Sequence, residues 1–263
     1  MRILVTNDDG VHAEGLAVLE RIARSLSKDV WVCAPESEQS GASRSLTLSE
    51  PLRVREIAPR RFAVRGTPTD CVMLAIQYLV EGKRPDLVLS GVNRGLNAAE
   101  DVSMSGTVAG AIEGMAMGVK AFALSQMIGP GGEGPDAYGV AETHGAGLIA
   151  RLVEVGWADD VILNVNFPPR LTDPANAVEV TRQGFRNVRT RYAEQRTDLR
   201  GRHYYWLGYR NEPSAPPQGT DLRAAYEGRI SVTPLHIDLS HMETVQALRA
   251  KIGGAPPKLR AKA

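Results

Sequence analysis

The chain has 263 residues, a length that one α/β domain can account for. Hydrophobic residues make up 43% and charged residues 23%, as in an ordinary globular protein with a sizeable core. With 31 basic and 30 acidic residues, the net charge is +1. This balance excludes bulk electrostatic attraction as an argument for a nucleic acid or membrane-surface partner.

The amino terminus predicts no secretory leader, because the apolar run at residues 3–5 is shorter than the ~7 residues of a signal-peptide core. No stretch of the sequence approaches the ~18 apolar residues of a membrane span, so we expect a cytoplasmic protein. The two cysteines are Cys33 and Cys71. We interpret both as buried, reduced thiols.

Short apolar runs alternate with segments of helical periodicity along the first two thirds of the chain. The first strand, helix and strand fit within about 35 residues, which predicts a parallel sheet. The predicted strands are residues 3–6, 30–34, 62–65, 86–90, 121–125, 161–165 and 229–235. The predicted helices are residues 16–26, 71–80, 108–117, 141–155 and 242–252.

This order of elements predicts an α/β fold with a Rossmann-like, doubly wound, mostly parallel sheet. We expect a single domain over residues 1–263, with a core formed by residues 1–168 and the strand near 229–235. Residues 181–218 are rich in Arg and Tyr and are predicted to form an extended C-terminal arm or hairpins. The tail at 253–263 is predicted to be flexible.

Three polar loops follow strands of this sheet, at the edge where open α/β folds bind ligands. The first is Asn7-Asp8-Asp9-Gly10, in which the adjacent carboxylates repel each other. Mg²⁺ or Mn²⁺ offsets such repulsion, because hard cations bind oxygen ligands. A plain turn, in which Asp9 caps the next helix, is the alternative.

The second and third loops offer neutral oxygen atoms. Residues 36–43 are predicted to form a small, hydroxyl-rich turn that contains Ser40, and an ordinary polar loop without a ligand is the alternative. The polar run at 91–101 follows the strand at 86–90 and contains Asn93 and Asn97. Because all three loops belong to one edge of one sheet, we expect a single site there.

The third loop continues into Ser105-Gly106-Thr107, at the start of a predicted helix. The first backbone N–H groups of a helix have no partner within it, so they can hold a phosphate. Alternatively, Ser105 or Thr107 only caps the helix.

These motifs, in this order, resemble those of the SurE (survival protein E) family of 5′/3′-nucleotidases. The resemblance extends over about residues 1–238. The matching segments are residues 6–15, 40–43, 66–72, 90–97, 105–108, 163–166 and 231–235.

The resemblance implies a metal-dependent phosphatase of nucleoside 5′- or 3′-monophosphates, in some members also of short polyphosphate. It implies one Mg²⁺ or Mn²⁺ ion per subunit, held by Asp8, Asp9, Ser40 and Asn93. We expect a metal-activated water to attack the phosphate. Asp8 and Asp9 are the expected catalytic residues, because either can orient or deprotonate that water.

The resemblance also implies a phosphate pocket and an assembly. Asn97, Ser105, Gly106 and Thr107 are expected to line the phosphate pocket. The expected assembly is a homodimer or homotetramer with exchanged C-terminal arms, and neither a membrane nor a specific nucleic acid is expected as a partner.

The sequence departs from the family pattern at three positions. Glu14 stands where Pro is usual, Ala99 where Gly is usual, and Met104 where Tyr is common. None of the three is an expected metal ligand. These changes therefore bear on loop stiffness and substrate preference rather than on the metal site.

Further residues near these motifs have two interpretations each. His12 is either a general acid or a residue that packs at the helix start, while Asp70 is interpreted as a structural carboxylate at a helix start. Four arginines either contact phosphate from a neighbouring subunit or belong to a solvated or interface hairpin. They are Arg182, Arg186, Arg189 and Arg191.

One other mechanism and two other functions are the alternatives. A covalent phosphate on Asp8 is disfavoured, because phosphatases that form one use Asp-x-Asp spacing and these aspartates are adjacent. A nucleotide-binding module without catalysis is an alternative function that the sequence does not exclude. A Rossmann-type dehydrogenase needs Gly-x-Gly-x-x-Gly after the first strand, and residues 7–12 do not match it.

Overall fold

The computed structural model of the chain describes residues 1–129, 137–186, 191–209 and 214–253. Its strands are β1 (Arg2–Thr6), β2 (Asp29–Pro35), β3 (Val54–Ala58), β4 (Arg61–Val64), β5 (Leu87–Arg94), β6 (Lys120–Gln126), β7 (Ile162–Phe167), β8 (Val178–Val180), β9 (Arg191–Thr197), β10 (His203–Tyr209) and β11 (Ile230–Leu235). Its α-helices are α1 (Glu14–Leu26), α2 (Pro68–Leu74), α3 (Gly106–Ala116), α4 (Gly139–Val155), α5 (Asp221–Tyr226) and α6 (Met242–Ile252).

Nine of these strands form one sheet in the order β3-β4-β2-β1-β5-β6-β7-β11-β8. Pairing is parallel except between β3 and β4 and between β7 and β11. In the register of β1 with β5, Thr6 lies opposite Ser90, so both strands reach the same edge of the sheet. The predicted α/β fold with a doubly wound, mostly parallel sheet is therefore confirmed.

Two layers of helices cover the sheet because its central strands are apolar on both faces. Ile3 and Val5 of β1 face a core that includes residues of α1 and α4. Leu4, between them, faces the other core, which includes residues of α2 and α3. Helix α3 lies close to the sheet, because a Cβ atom on its Gly114 would come within 2.8 Å of the Val88 side chain. The small-residue helix predicted at 108–117 packs as expected.

The strands and helices that the sequence did not predict are short or exposed. Strand β3 is an edge strand with a mostly exposed surface, β8 has three residues and α5 has six. None is long enough to show a clear apolar period. The helix predicted at 71–80 also differs, because α2 ends at Leu74 and a π-helical turn (Ala75–Leu79) continues it.

One difference bears on the site. The strand predicted at 86–90 continues as β5 to Arg94, so Asn93 lies on the strand rather than in the loop after it. The register of β5 against β6 shifts between Ser90 and Asn93, where Gly91 has a φ of +134°. This irregular stretch carries polar residues, so it does not show the apolar pattern of a buried strand.

Much of the C-terminal part of the chain is exposed to solvent. Strands β9 and β10 pair antiparallel as a separate two-stranded sheet, as predicted for the arm, and every residue of β9 is exposed. Helix α6 has no buried residue. The tail predicted at 253–263 falls largely outside the described residues. Within the described ranges, no helix combines the length and apolarity needed to cross a membrane.

Candidate functional site

A cavity of about 420 Å³ opens at the carboxyl edge of β1, β2 and β5. It collects residues from all three predicted loops, although these are far apart in sequence. Its lining consists of Asp8, Asp9, Glu38, Ser40, Gly41, Asn93, Arg94, Leu96, Asn97, Asp101, Met104 and Ser105. The structure thus brings together all four expected metal ligands and two of the four residues expected to hold phosphate.

Asp8 and Asp9 follow β1 after one intervening residue, and both line the cavity. Burial raises the pKa of Asp8, with a further contribution from the charge of Glu38. Burial and the charge of Asp8 raise the pKa of Asp9 to about 6. Among the described residues, neither carboxylate forms an ion pair. The pair therefore carries a charge repulsion that a divalent cation would relieve.

The loop that carries Ser40 is tied to the aspartates by the backbone. Gln39 N donates to Asp8 O at 2.8 Å, so the turn after β2 lies directly against the end of β1. Ser40 Oγ donates to Glu38 Oε1 at 2.8 Å. Further along, Ser43 Oγ donates to Ser103 O at 2.9 Å, which joins this loop to the 3-10 turn before α3. These bonds hold Ser40 beside the aspartates.

The two asparagines are held in fixed orientations. Asn93 Nδ2 donates to Gly95 O at 2.9 Å, which leaves its Oδ1 as the atom suited to a cation. Asn97 Nδ2 donates to Ser125 Oγ at 2.9 Å, and its backbone N–H donates to Asn166 Oδ1 at the same distance. Its carbonyl oxygen accepts from Asn164 Nδ2 at 2.7 Å.

Sequence reasoning gave no role to Ser125, Asn164 and Asn166. All three are fully buried polar side chains on central strands. Polar residues within otherwise apolar strands were the available signal, because buried polar groups need partners. The three side chains form their hydrogen bonds with Asn97 and so hold its loop at the edge of the sheet.

The start of α3 contacts Asp8 directly. A Cβ atom on Gly106 would lie 2.7 Å from Asp8 Cβ, so only glycine permits this approach. Ser105 Oγ accepts from Val108 N at 3.0 Å, so Ser105 caps the helix as well as lining the cavity.

Thr107 is placed differently from the expectation. It is fully buried and does not line the cavity. Its Oγ1 donates to Asp8 Oδ1 at 2.5 Å, so it orients that carboxylate rather than reaching towards a phosphate. Gly106 likewise shapes the site by letting the helix start close to Asp8. Sequence reasoning missed both contacts because they join residues about a hundred positions apart.

Three charged residues of the cavity had no role predicted from the sequence. Glu38 adds a third negative charge near the aspartates and raises the pKa of both. Arg94 brings a guanidinium to the lining, and its backbone N–H donates to Asp9 Oδ2 at 3.4 Å. Asp101 lies in the 3-10 turn (Ala99–Met104) that leads into α3.

Two residues with open interpretations are now located. His12 is exposed and does not line the cavity. Asp70 forms a capping box at the start of α2 with Thr67, as the structural interpretation predicts. Its carboxylate also accepts from both the backbone N–H and the hydroxyl of Thr47, at 3.1 and 2.7 Å. Cys33 and Cys71 are both buried and free, as expected.

Two arginines of the C-terminal segment lie near carboxylates of their own chain, and phosphate contact from a neighbouring subunit stays a prediction. Arg186 forms ion pairs with Glu100 and Asp101 of its own chain, at 3.1 and 2.7 Å. Arg191 lies 3.9 Å from the same Asp101. Arg182 is exposed, and Arg189 lies outside the described residues.

The departures from the family pattern have distinct surroundings. Glu14 is exposed in the first turn of α1. Ala99 is fully buried with a φ of +56°, a conformation that glycine adopts with less strain. Met104 lines the cavity. Of the three, Met104 is therefore the one placed to affect a ligand directly.

Comparisons with known proteins agree with this architecture. The family model described as "Survival protein SurE" matches residues 3–190. A protein of Phenylobacterium zucineum named "5′-nucleotidase SurE" is 66% identical over 261 residues, which cover 98% of this chain and 100% of that protein. A protein of the same name from Caulobacter vibrioides (strain NA1000 / CB15N) is 64% identical over 259 residues, covering 98% of each chain.

A solved structure has the same fold. The crystal structure of the SurE protein from Aquifex aeolicus superposes with a TM-score of 0.79 at 34% sequence identity. The match covers 95% of this chain and 99% of that chain. With the family model, the relatives and this structure in agreement over nearly the whole length, the chain belongs to the SurE family.

Proposed function

We propose that this protein is a divalent-metal-dependent phosphatase that hydrolyses nucleoside monophosphates to nucleoside and phosphate. The observation that carries the proposal is the pairing of Asp8 and Asp9, two repelling carboxylates, with neutral oxygen donors in one cavity. The name 5′-nucleotidase, borne by the close relatives, supports 5′-monophosphates as substrates. Activity on 3′-monophosphates and short polyphosphate is part of the proposal.

The chemistry of the donors fits one Mg²⁺ or Mn²⁺ ion. Asp8 and Asp9 supply anionic oxygens, and Ser40 Oγ and Asn93 Oδ1 supply neutral ones. Hard cations prefer such an all-oxygen set. When bound, the cation would polarise a phosphoryl oxygen and make the attacking water more acidic.

The remaining roles belong to the chain itself. Asp8 or Asp9 orients the attacking water and accepts its proton, and Thr107 keeps Asp8 in place through a 2.5 Å hydrogen bond. The N-terminus of α3 at Ser105 and the side chain of Asn97 face the phosphate oxygens, where charge must be offset during transfer.

A covalent phosphate on Asp8 is the alternative mechanism. The hydrogen bond from Thr107 and the burial of Asp8 suit a fixed ligand better than a nucleophile that must carry a bulky phosphoryl group. Rapid quenching during turnover, followed by mass spectrometry of the peptide that contains Asp8, distinguishes the two. We expect no phosphorylated peptide, and its detection would establish the covalent route.

The proposal is tested by measuring phosphate release from a panel of substrates. The panel contains 5′- and 3′-nucleoside monophosphates, short polyphosphate and an aryl phosphate, each with Mg²⁺, Mn²⁺ or EDTA. We expect metal-dependent release that Asp9→Ala abolishes. Asp159→Ala, which removes a fully exposed carboxylate, is the control and should retain activity.

Two outcomes would contradict the proposal. Release that survives both EDTA and Asp9→Ala would exclude metal-dependent catalysis at this site. Binding of a nucleoside monophosphate without any release under all metal conditions would favour a binding module instead.

We also propose that the protein forms homodimers or homotetramers through its C-terminal part. The support is exposure: Trp206 and Leu207 of β10 and Leu248 and Ile252 of α6 leave apolar side chains uncovered. Such exposed apolar surface is common at subunit interfaces. Light scattering on the full chain and on a chain that ends at residue 240, which lacks α6 but keeps β10, tests the part played by α6, since we expect the shorter chain to lose subunits.

A further inference from the structure

Asp101 is a cavity carboxylate outside the four proposed metal ligands. It lies in the 3-10 turn (Ala99–Met104) that ends at Ser105, where α3 begins. Ser105, where a phosphate would be held, follows Asp101 by four residues, and both line the same cavity. The part of a nucleotide that follows its phosphate is the ribose.

Two arginines hold this carboxylate in one orientation. Arg186 Nη2 lies 2.7 Å from Asp101 Oδ2, and the Arg186 side chain is only 13% exposed. Arg191 Nη2 lies 3.9 Å from Asp101 Oδ1. A carboxylate has about four acceptor positions, so these contacts leave room for hydrogen bonds from a ligand. Asp101 is thus a fixed and charged acceptor in the cavity wall.

The chemistry of the substrate limits what such a group can bind. A carboxylate repels phosphate and accepts from hydroxyl or amino groups. In a nucleoside monophosphate these are the ribose hydroxyls and, on some bases, an exocyclic amino group. The ribose hydroxyls are nearer to the phosphate, and carboxylates bind them in other nucleotide sites.

On this basis, and resting on the proposed function, we propose that Asp101 accepts a hydrogen bond from the ribose 2′-hydroxyl and makes the protein select ribonucleotides over 2′-deoxyribonucleotides. Loss of a hydrogen bond to a charged group corresponds to about a tenfold effect. We expect kcat/KM for AMP to exceed that for dAMP by about this factor.

Glu100 provides a matched control within the same turn. Its Oε1 lies 3.1 Å from Arg186 Nη1, so it shares the arginine with Asp101. Unlike Asp101, it does not line the cavity. Asp101→Asn and Glu100→Gln therefore each remove one carboxylate partner of Arg186, but only the first changes the cavity wall.

The experiment measures kcat/KM for AMP, dAMP, IMP and an aryl phosphate in the wild-type protein and both variants. We expect Asp101→Asn to reduce the AMP-to-dAMP ratio to near one, while Glu100→Gln keeps the wild-type ratio. IMP lacks the amino group of AMP but keeps the ribose, so we expect the wild-type protein to have similar kcat/KM values for AMP and IMP.

Several results would overturn the inference. Equal wild-type kcat/KM for AMP and dAMP would do so without any variant, which covers a failure of Asp101→Asn to fold. An unchanged ratio in Asp101→Asn, with equal losses on AMP and aryl phosphate, would assign Asp101 a structural role only. A strong AMP preference over IMP that Asp101→Asn removes would assign it to the base. No release from any phosphate by the wild-type protein would instead refute the proposed function.

Discussion

Two carboxylate regions of this molecule show opposite arrangements. Asp221 is fully buried, and its two oxygens accept from three backbone N–H groups, those of Ala99, Gly184 and Leu222, at 2.9, 2.9 and 2.7 Å. Asp9 lines an open cavity beside Asp8 and accepts one long backbone hydrogen bond, of 3.4 Å, from Arg94.

The two regions differ in whether the chain itself fills the acceptor positions of the carboxylates. Asp221 ties the turn at Ala99 to the segment at Gly184 and has its acceptors satisfied within the chain. The Asp8–Asp9 pair leaves acceptor capacity directed at a cavity while its charges repel each other. A carboxylate whose acceptor positions are filled by its own chain supports the fold, whereas a pair that keeps acceptor positions open to a cavity is suited to a cation.

The largest expected effect is on activity. Asp8→Asn keeps an oxygen that can accept from Thr107 but removes one charge from the proposed metal site. We expect kcat/KM to fall on the order of a thousandfold, about 4 kcal/mol, because the charge that holds the metal is halved. Steady-state phosphate release measures this, with circular dichroism as the check on folding. A loss of less than tenfold at saturating Mn²⁺ would contradict the role of Asp8.

The next effect is on stability and concerns Asp221. Asp221→Asn replaces one acceptor oxygen by a donor that faces either Ala99 N–H or the N–H groups of Gly184 and Leu222. We expect the free energy of unfolding to fall by about 2–4 kcal/mol, because a buried donor loses its partner. Urea denaturation measures it. Unchanged stability would break the distinction between the two carboxylate regions.

A smaller effect of opposite sign is expected at Asp9. Its folded pKa, raised to about 6, lies above the ordinary value of 3.8, so the metal-free folded state binds protons more tightly than the unfolded chain. The stability of metal-free protein therefore falls as pH rises from about 4 to above 6. In EDTA at pH 8, Asp9→Asn should raise the free energy of unfolding by about 1–2 kcal/mol, allowing for partial solvent screening.

Thermal and urea unfolding at pH 4.5 and pH 8 test this directly. The gain from Asp9→Asn should shrink at the lower pH, where Asp9 is already protonated. A gain that is equal at both pH values, or a destabilised variant at pH 8, would show that the charge of Asp9 is not unfavourable in the metal-free fold.

The smallest effect is expected at Ala99, which adopts a φ of +56°. Ala99→Gly relieves about 1 kcal/mol of backbone strain. The greater conformational freedom of glycine in the unfolded chain offsets part of this gain in stability. We expect a net stabilisation of about 0.5 kcal/mol. Ala98, equally buried but extended with a φ of −134°, is the control. Ala98→Gly should destabilise, and equal effects of the two changes would argue against strain at Ala99.

The central strands and the edge that carries the site could be predicted from the sequence. Apolar runs such as residues 3–6 and 121–125 predicted the central strands, because a strand buried on both faces leaves an uninterrupted signal. Polar residues after the predicted strands at 3–6, 30–34 and 86–90 predicted that Asp8, Ser40 and Asn93 lie at one edge. The edge strand β3 and the short α5 were missed because their patterns are too short or too exposed.

Long-range contacts were beyond sequence reasoning. The hydrogen bond from Thr107 to Asp8 and the support of Asn97 by Asn164 and Asn166 depend on the final packing of α3 and β7 on the sheet. Spacing in one sequence does not encode such pairs. Thr107 does not line the cavity, since its hydroxyl donates to Asp8, and its predicted part in holding phosphate stays a prediction.

The central claim is that Asp8, Asp9, Ser40 and Asn93 form one divalent-metal site, and calorimetric titration of Mn²⁺ into EDTA-treated, dialysed protein tests it most directly. We predict one ion bound per chain in the wild-type protein and in Asp159→Ala, and no measurable binding to Asp9→Asn at the same concentrations. Equal affinity and stoichiometry in Asp9→Asn and the wild-type protein would contradict the claim.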